Sequence, residues 1–243
     1  ALAESEARYR AIFDGAAQGL LMADMQSMRF VYANPAICHM LGYTSEEFLQ
    51  LTPLDIHPPG EAALHTSNFR PDMEGTVRKA EDVLCIRKDG TTLPVDITAR
   101  EVVYRGRPHL IGFITDKSEK KQLEAMLLKA QAMAKVGSWE VDLATRMVAG
   151  TPEFYRIHEV TPDKSAAPLE LGLRLLAPAD HERARAEFLR SITERTPYHG
   201  VFPLQFADGR SKWIEVYGEH EFDAEGNPVR FLGTTQDLSL IHI

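Results

Sequence analysis

Cysteine is scarce in this 243-residue sequence: Cys38 and Cys85 are the only two. Two thiols without zinc-type spacing exclude a disulfide framework and a structural zinc site, and they read as reduced, cytosolic side chains. Long apolar runs are missing too. No stretch approaches the roughly 18 residues needed to cross a bilayer. The opening Ala1-Leu2-Ala3-Glu4-Ser5-Glu6 lacks the charged-then-apolar plan of a signal peptide, so a cytoplasmic location is expected. Basic charge is also in short supply, with 27 Lys and Arg against 35 Asp and Glu and a net charge of −8. That balance argues against nucleic acid or an anionic membrane as the main partner. No Cys-x-x-Cys-His occurs, which excludes covalent haem. No Ser-His-Asp constellation or Gly-rich phosphate loop is visible, so the chain is not expected to be an enzyme by itself. What is present, 44% hydrophobic and 26% charged residues, suits globular domains with real cores.

The sequence repeats itself. Arg87-Lys88-Asp89-Gly90-Thr91-Thr92 has an echo in Phe206-Ala207-Asp208-Gly209-Arg210-Ser211, and both are Asp-Gly turns between alternating apolar runs. A second turn follows each, at Tyr104-Arg105-Gly106-Arg107 and at Asp223-Ala224-Glu225-Gly226-Asn227. A last apolar strand follows in both, ending in Thr115-Asp116 and Gln236-Asp237. The offsets are 119 residues from Asp89 to Asp208, 120 from Gly106 to Gly226 and 121 from Asp116 to Asp237. Three ordered matches at nearly one offset indicate a duplicated unit. The drift predicts a slightly longer second hairpin in the second copy.

In the first copy, Gly19–Asp24 and Arg29–Tyr32 read as a hairpin. Asn34 caps a helix with Pro35 at its first position, and Gly42 ends it. Thr44-Ser45-Glu46-Glu47 opens another helix, with negative charge in its first turn. A longer helix spans about Gly60 to Glu74. Strands follow at Val77–Arg87, Thr92–Tyr104 and Arg107–Thr115. The second copy reads likewise: strands at Ser138–Leu143 and Arg146–Ala149, short helices over Thr151–Leu176, a helix over Pro178–Arg195, then strands at Tyr198–Phe206, Ser211–Phe222 and Pro228–Asp237. Each copy is predicted to be a five-stranded antiparallel sheet with helices on one face, an α+β plan.

These motifs resemble the PAS family. The resemblance rests in the first copy on Tyr32-Ala33-Asn34-Pro35-Ala36, Leu41-Gly42-Tyr43-Thr44-Ser45-Glu46-Glu47-Phe48, Arg87-Lys88-Asp89-Gly90 and Gly112-Phe113-Ile114-Thr115-Asp116. In the second it rests on Val136-Gly137-Ser138-Trp139-Glu140-Val141-Asp142, Asp208-Gly209-Arg210-Ser211-Lys212-Trp213-Ile214 and Asp223-Ala224-Glu225-Gly226-Asn227-Pro228-Val229. The second copy resembles the subtype whose Trp-bearing strand follows the Asp-Gly turn. The implied organisation is a flanking helix over 1–14, a first domain over 15–116, a linker helix over 117–136, a second domain over 137–238 and a tail over 239–243. Tyr9, Ile12 and Phe13 supply the flanking helix with its apolar side. The tail does not look like the charged connector that usually leaves such a domain.

Function is implied only in outline, because one fold hosts many sites. The resemblance implies a signal-input module that regulates a downstream histidine kinase in a two-component phosphorelay. The alternatives are a ligand-free dimerisation or spacer tandem, or the input of a diguanylate cyclase or phosphodiesterase. A homodimer is the expected assembly.

Between the copies, Lys117–Lys135 contains no Pro or Gly. Asp116 and Glu119 have the spacing of a capping box, with Asp in place of Ser or Thr. Leu123, Met126, Ala130, Met133 and Gly137 follow at steps of three and four, the spacing of a coiled-coil seam. Two readings stay open: a helix packing its stripe on a sheet, and a helix pairing across a dimer. In both, Asp116 is the hinge, with Glu119, Leu123 and Met126 in the coupling element.

The family's pocket implies haem, flavin, a carboxylate or aromatic metabolite, or no ligand, and the cofactor stays open. His65 is the candidate haem ligand, on the long helix before the third strand. His57 resembles a loop histidine of ligand-free relatives. No cysteine lies near Leu54–His57, so a photochemical flavin adduct is not expected. Met40, Phe48, His65, Phe69 and Ile86 are the candidate pocket liners of the first domain. His181-Glu182 resembles a phosphoacceptor dipeptide but reads as the start of a helix.

Overall fold

Alternation of buried and exposed residues, interrupted by Gly-bearing turns, sets the architecture. The computed structural model describes residues 8, 11–59, 70–71, 77–161, 166–169 and 174–239. The chain divides into two compact units, Ala1–Leu123 and Glu124–Ile243.

In the first unit, strands β1 (Gly19–Asp24), β2 (Phe30–Ala33), β3 (Arg70–Pro71), β4 (Val77–Ile86), β5 (Thr92–Tyr104) and β6 (Arg107–Asp116) form one sheet. The order is β2-β1-β6-β5-β4-β3, with every neighbour antiparallel. Five are the expected strands, and the two-residue β3 is an added edge piece. Strand β5 shows the period of two: Leu93, Val95, Ile97 and Ala99 are buried and their neighbours are not. Its turn to β6 has two loop residues, Arg105 and Gly106, both at positive φ, the requirement of a tight hairpin turn.

Helix α1 (Pro35–Leu41) and the single turn α2 (Ser45–Phe48) cover the sheet with Ile37, Leu41 and Phe48, all fully buried. Each such side chain contributes about 1.5–3 kcal/mol by leaving water. Asn34 is fully buried and its amide is completely used. Its Oδ1 accepts from Leu20 N–H at 2.9 Å and Ile37 N–H at 3.0 Å. Its Nδ2 donates to the Phe13 and Gln18 carbonyls, both at 3.0 Å. The N-cap thus also fastens the segment before β1. At the other end of α1, Gly42 takes φ +76°, the left-handed cap that favours glycine. Of the flanking segment, Tyr9 lies outside the described residues and Ile12 is exposed.

Helix α3 (Ser118–Ala134) follows β6 and has no buried residue. The expected capping box at Asp116 and Glu119 takes a simpler form: Asp116 Oδ1 accepts from Ser118 N–H at 2.7 Å. The reciprocal box occurs instead at Thr44 and Glu47, each side chain binding the other's backbone N–H.

In the second unit, β7 (Val136–Asp142), β8 (Met147–Gly150), β9 (Ala166–Pro168), β10 (Tyr198–Gln205), β11 (Ser211–Phe222) and β12 (Pro228–Asp237) pair in the order β10-β11-β12-β7-β8-β9, again antiparallel throughout. Strand β9 is the added edge piece here. The loop between β11 and β12 covers 223–227, five residues against two in the first unit. With β11 one residue shorter than β5, 12 against 13, the longer loop leaves the two-residue drift in the offset. Helices α4 (Pro152–His158) and α5 (His181–Glu194), the latter entered through a 3₁₀ turn at Pro178–Asp180, lie over this sheet. Gly137 corrects the expected seam. It belongs to β7, not to α3, and is buried where a Cβ would strike the backbone of Phe154. Glycine there permits close helix–strand approach.

Candidate functional site

The residues selected in the first unit occupy different positions. Phe48 packs in the core, with ring centroids 4.9 Å from Phe30 and 6.1 Å from Tyr43. Met40 is partly buried against that core. Ile86 ends β4 and donates its N–H to the Ile56 carbonyl at 2.9 Å. His65, Phe69 and the segment expected to form the long helix lie outside the described residues. His57 Nδ1 stands 3.0 Å from the Leu84 carbonyl and 4.0 Å from Cys85 Sγ. Burial pushes the Cys85 thiol up to about 12, which keeps it protonated and unreactive. It raises Cys38 as well.

The coupling residues sit at the start of α3. The Lys117 N–H donates to the Pro94 carbonyl at 2.9 Å, and Lys117 Nζ lies 3.0 Å from Asp96 Oδ2 and 3.6 Å from Asp82 Oδ1. Glu119 is exposed, and beyond it Leu123 and Met126 are 62% and 72% exposed. Leu127 and Met133 continue the exposed stripe.

The second unit holds a cavity of about 680 Å³ between its sheet and α4 and α5. This lies within the range of small-molecule sites. Its walls are mainly apolar and aromatic: Trp139 and Val141 from β7, Phe154 from α4, Phe188 from α5, Phe202 from β10 and Phe231 from β12. The aromatic wall is locked edge-on and tilted, with Phe231 4.8 Å from Trp139 and 5.0 Å from Phe188. Trp139 Nε1–H donates to Thr235 Oγ1 at 2.9 Å, joining β7 to β12. At one end, His181 Nε2 lies 3.1 Å from the Leu176 carbonyl. His181 therefore serves as a helix-start residue on the cavity wall.

His158, the last residue of α4, also lines this cavity and is 7% exposed. Its Nδ1 stands 2.9 Å from the Phe154 carbonyl. Burial, with the Lys212 ammonium nearby, lowers its pKa below the ordinary histidine value. The sequence reading missed it. The available signal was Phe154 and His158 four apart on the buried face of a short helix, a spacing that suits an ordinary core histidine equally well.

Both copies clamp the Asp-Gly hairpin onto the helix after the second strand. In the first, Arg87 Nε donates to the Met40 carbonyl at 2.9 Å and Lys88 Nζ reaches Glu47 at 2.7 Å. In the second, Lys212 Nζ donates to the Ile157 carbonyl at 2.9 Å and Arg210 pairs with Glu159 at 2.6 Å.

A PAS domain family model matches residues 17–119, and a PAS fold model matches residues 148–235. The chain is a tandem of two PAS domains. Both matched models are PAS models, so the chain is a sensory input module of the kind found in signalling proteins. Among curated relatives, the methyl sulfide methyltransferase-associated sensor of Methanosarcina acetivorans is 30% identical over 51% of this chain and 12% of its own length. The sensor histidine kinase TmoS of Ectopseudomonas mendocina is 27% identical over 68% of the chain and 17% of its own length. The probable diguanylate cyclase DgcE of Escherichia coli strain K12 is 21% identical over 98% of the chain and 22% of its own length. The PAS tandem thus spans less than a quarter of each of these relatives. Among the described residues, no helix is long and apolar enough to cross a membrane.

Proposed function

We propose that this PAS tandem is the ligand-sensing input of a longer signalling protein, with the cavity of the second domain as the sensing site and a histidine kinase as the regulated output. The observation that carries this reading is the 680 Å³ aromatic cavity between the sheet and α4 and α5. Occupancy there biases the helices against the sheet, and a two-state helix–sheet junction passes the bias along the chain. Asp116 is the hinge of the corresponding junction in the first domain, because it ends β6 and caps α3. The kinase assignment draws on the likeness to TmoS, and a cyclase output draws on the likeness to DgcE.

A chimera placing the tandem before a histidine kinase core tests the reading. Autophosphorylation should respond to small aromatic compounds. Asp237→Ala, which removes the equivalent carboxylate at the end of β12 in the second domain, should abolish the response while circular dichroism stays unchanged. Unaltered signalling by that variant contradicts a hinge at that junction.

A second reading, a homodimer held by α3, draws on the exposed stripe of Leu123, Met126, Leu127 and Met133. Sedimentation of the chain and of Met126→Glu separates the two: a dimer that dissociates in the variant favours pairing, and a monomer in both removes it.

A further inference from the structure

The cavity wall contains a ring nitrogen to which no described residue donates a hydrogen bond. His158 Nδ1 faces the Phe154 carbonyl at 2.9 Å. A carbonyl only accepts, so Nδ1 carries the hydrogen and Nε2 carries the lone pair. No described residue donates to Nε2. Trp139 Nε1–H is taken by Thr235 and His181 Nε2 by the Leu176 carbonyl, while Arg146, Glu182 and Arg185 also line the wall. The His158 ring is held in place by Phe154, whose centroid is 4.3 Å away. An acceptor on a cavity wall can be met by water, and a ligand that displaces the water must replace that hydrogen bond or lose it.

We propose that the second PAS domain takes a neutral aromatic molecule bearing one O–H or N–H donor, which it gives to His158 Nε2. The inference rests on the reading that this cavity is a ligand site and adds the chemistry of the ligand. Phe154, Phe188, Phe202 and Phe231 supply faces and edges for an aromatic ring. The imidazole is kept neutral by burial and by Lys212, so it offers a lone pair and no positive charge. A phenol or aryl N–H satisfies that lone pair. A hydrocarbon leaves it bare, and a carboxylate has no hydrogen to give it and must shed hydration among the aromatic side chains, with Arg146 and Arg185 the cations on the wall. Discrimination between a donor-bearing ring and its bare hydrocarbon should be about tenfold to a hundredfold.

Calorimetric titration of the full chain with naphthalene, 1-naphthol and 1-naphthoate tests this. The expected order is 1-naphthol tightest, naphthalene about tenfold or more weaker, and naphthoate weakest. His158→Phe should remove the preference for 1-naphthol while naphthalene still binds, and His158→Gln, which keeps an acceptor, should retain part of it. Equal binding of naphthol and naphthalene by the unaltered chain, or tightest binding of naphthoate, overturns the donor proposal and leaves the cavity reading standing. Binding of none of the three overturns both. Because the unaltered protein decides the ranking, a variant that fails to fold does not shelter the idea. A visible haem band that His158→Phe abolishes would also overturn it, since Nε2 would then be an iron ligand.

Discussion

Lys121 Nζ lies 2.9 Å from Asp82 Oδ1, tying the first turns of α3 to an irregularity in β4. The β4–β5 register shifts between Ala80 and Val83, and Asp82 takes φ +54° there. This bulge turns the Asp82 carboxylate toward the helix. Asp82 N–H donates to Asp96 Oδ1 at 2.9 Å, and Lys117 bridges Asp82 and Asp96. The lysines hold the Asp82 carboxyl below its usual range, with Lys121 the larger influence. The helix leaving the first PAS domain is therefore held by a charge cluster as well as by its peptide bond.

Removing that cluster should loosen the helix without unfolding the domain. For Asp82→Asn, amide exchange over the first turns of α3 should accelerate and lose most of its salt dependence, while the melting temperature of the domain changes little. These groups are exposed, so salt screens them. Exchange in α3 that is identical in the variant contradicts the anchor.

Asn34→Ala should be far more damaging. It strips partners from two N–H groups and two carbonyls around a fully buried position. Several partly compensated losses of about 1–3 kcal/mol each sum to about 3–5 kcal/mol. Urea unfolding should show the first domain's transition shifted by that amount and the second's unmoved.

Much of this was legible in the sequence because it depends on local rules. Asn34-Pro35 and Gly42 mark both ends of α1, and Asp89-Gly90 and Asp208-Gly209 mark hairpins, through backbone constraints that each residue carries by itself. The features that were not legible depend on contacts distant in sequence. Gly137 continued a heptad-like spacing, yet close packing against Phe154 claims it for β7. The bulge at Asp82 has no turn residue to announce it. His158 becomes distinctive only when the cavity beside it is seen, and that cavity is assembled from helices and strands far apart in sequence.

Acid should destabilise the second domain selectively. Burial lowers the pKa of both His158 and His220 in the folded state. The unfolded chain then binds more protons than the folded one as pH falls below about 6.5, so stability is full above that value and declines below it. Around His158 the charged neighbour is Lys212, itself paired with Glu159. Thermal unfolding between pH 7.5 and 5 should show a falling transition for this domain, flattened in the double variant His158→Phe, His220→Phe. A transition that rises on acidification contradicts the assignment.

Both cysteines should resist alkylation in the native protein. Burial raises both thiols, Cys85 to about 12, so little thiolate exists at pH 8. Iodoacetamide followed by mass spectrometry should leave the folded chain unmodified and add two groups in urea. Rapid native modification of Cys85 contradicts its placement in the core.

The proposed sensing site is the cavity of the second domain. Mapping 1-naphthol onto amide chemical shifts of the full chain tests it directly. The predicted result is saturable shifts concentrated at Val141, Val148, His158, Leu204 and Ile214, with the first domain quiet. Shifts confined to the first domain, or none at saturating probe, would contradict it.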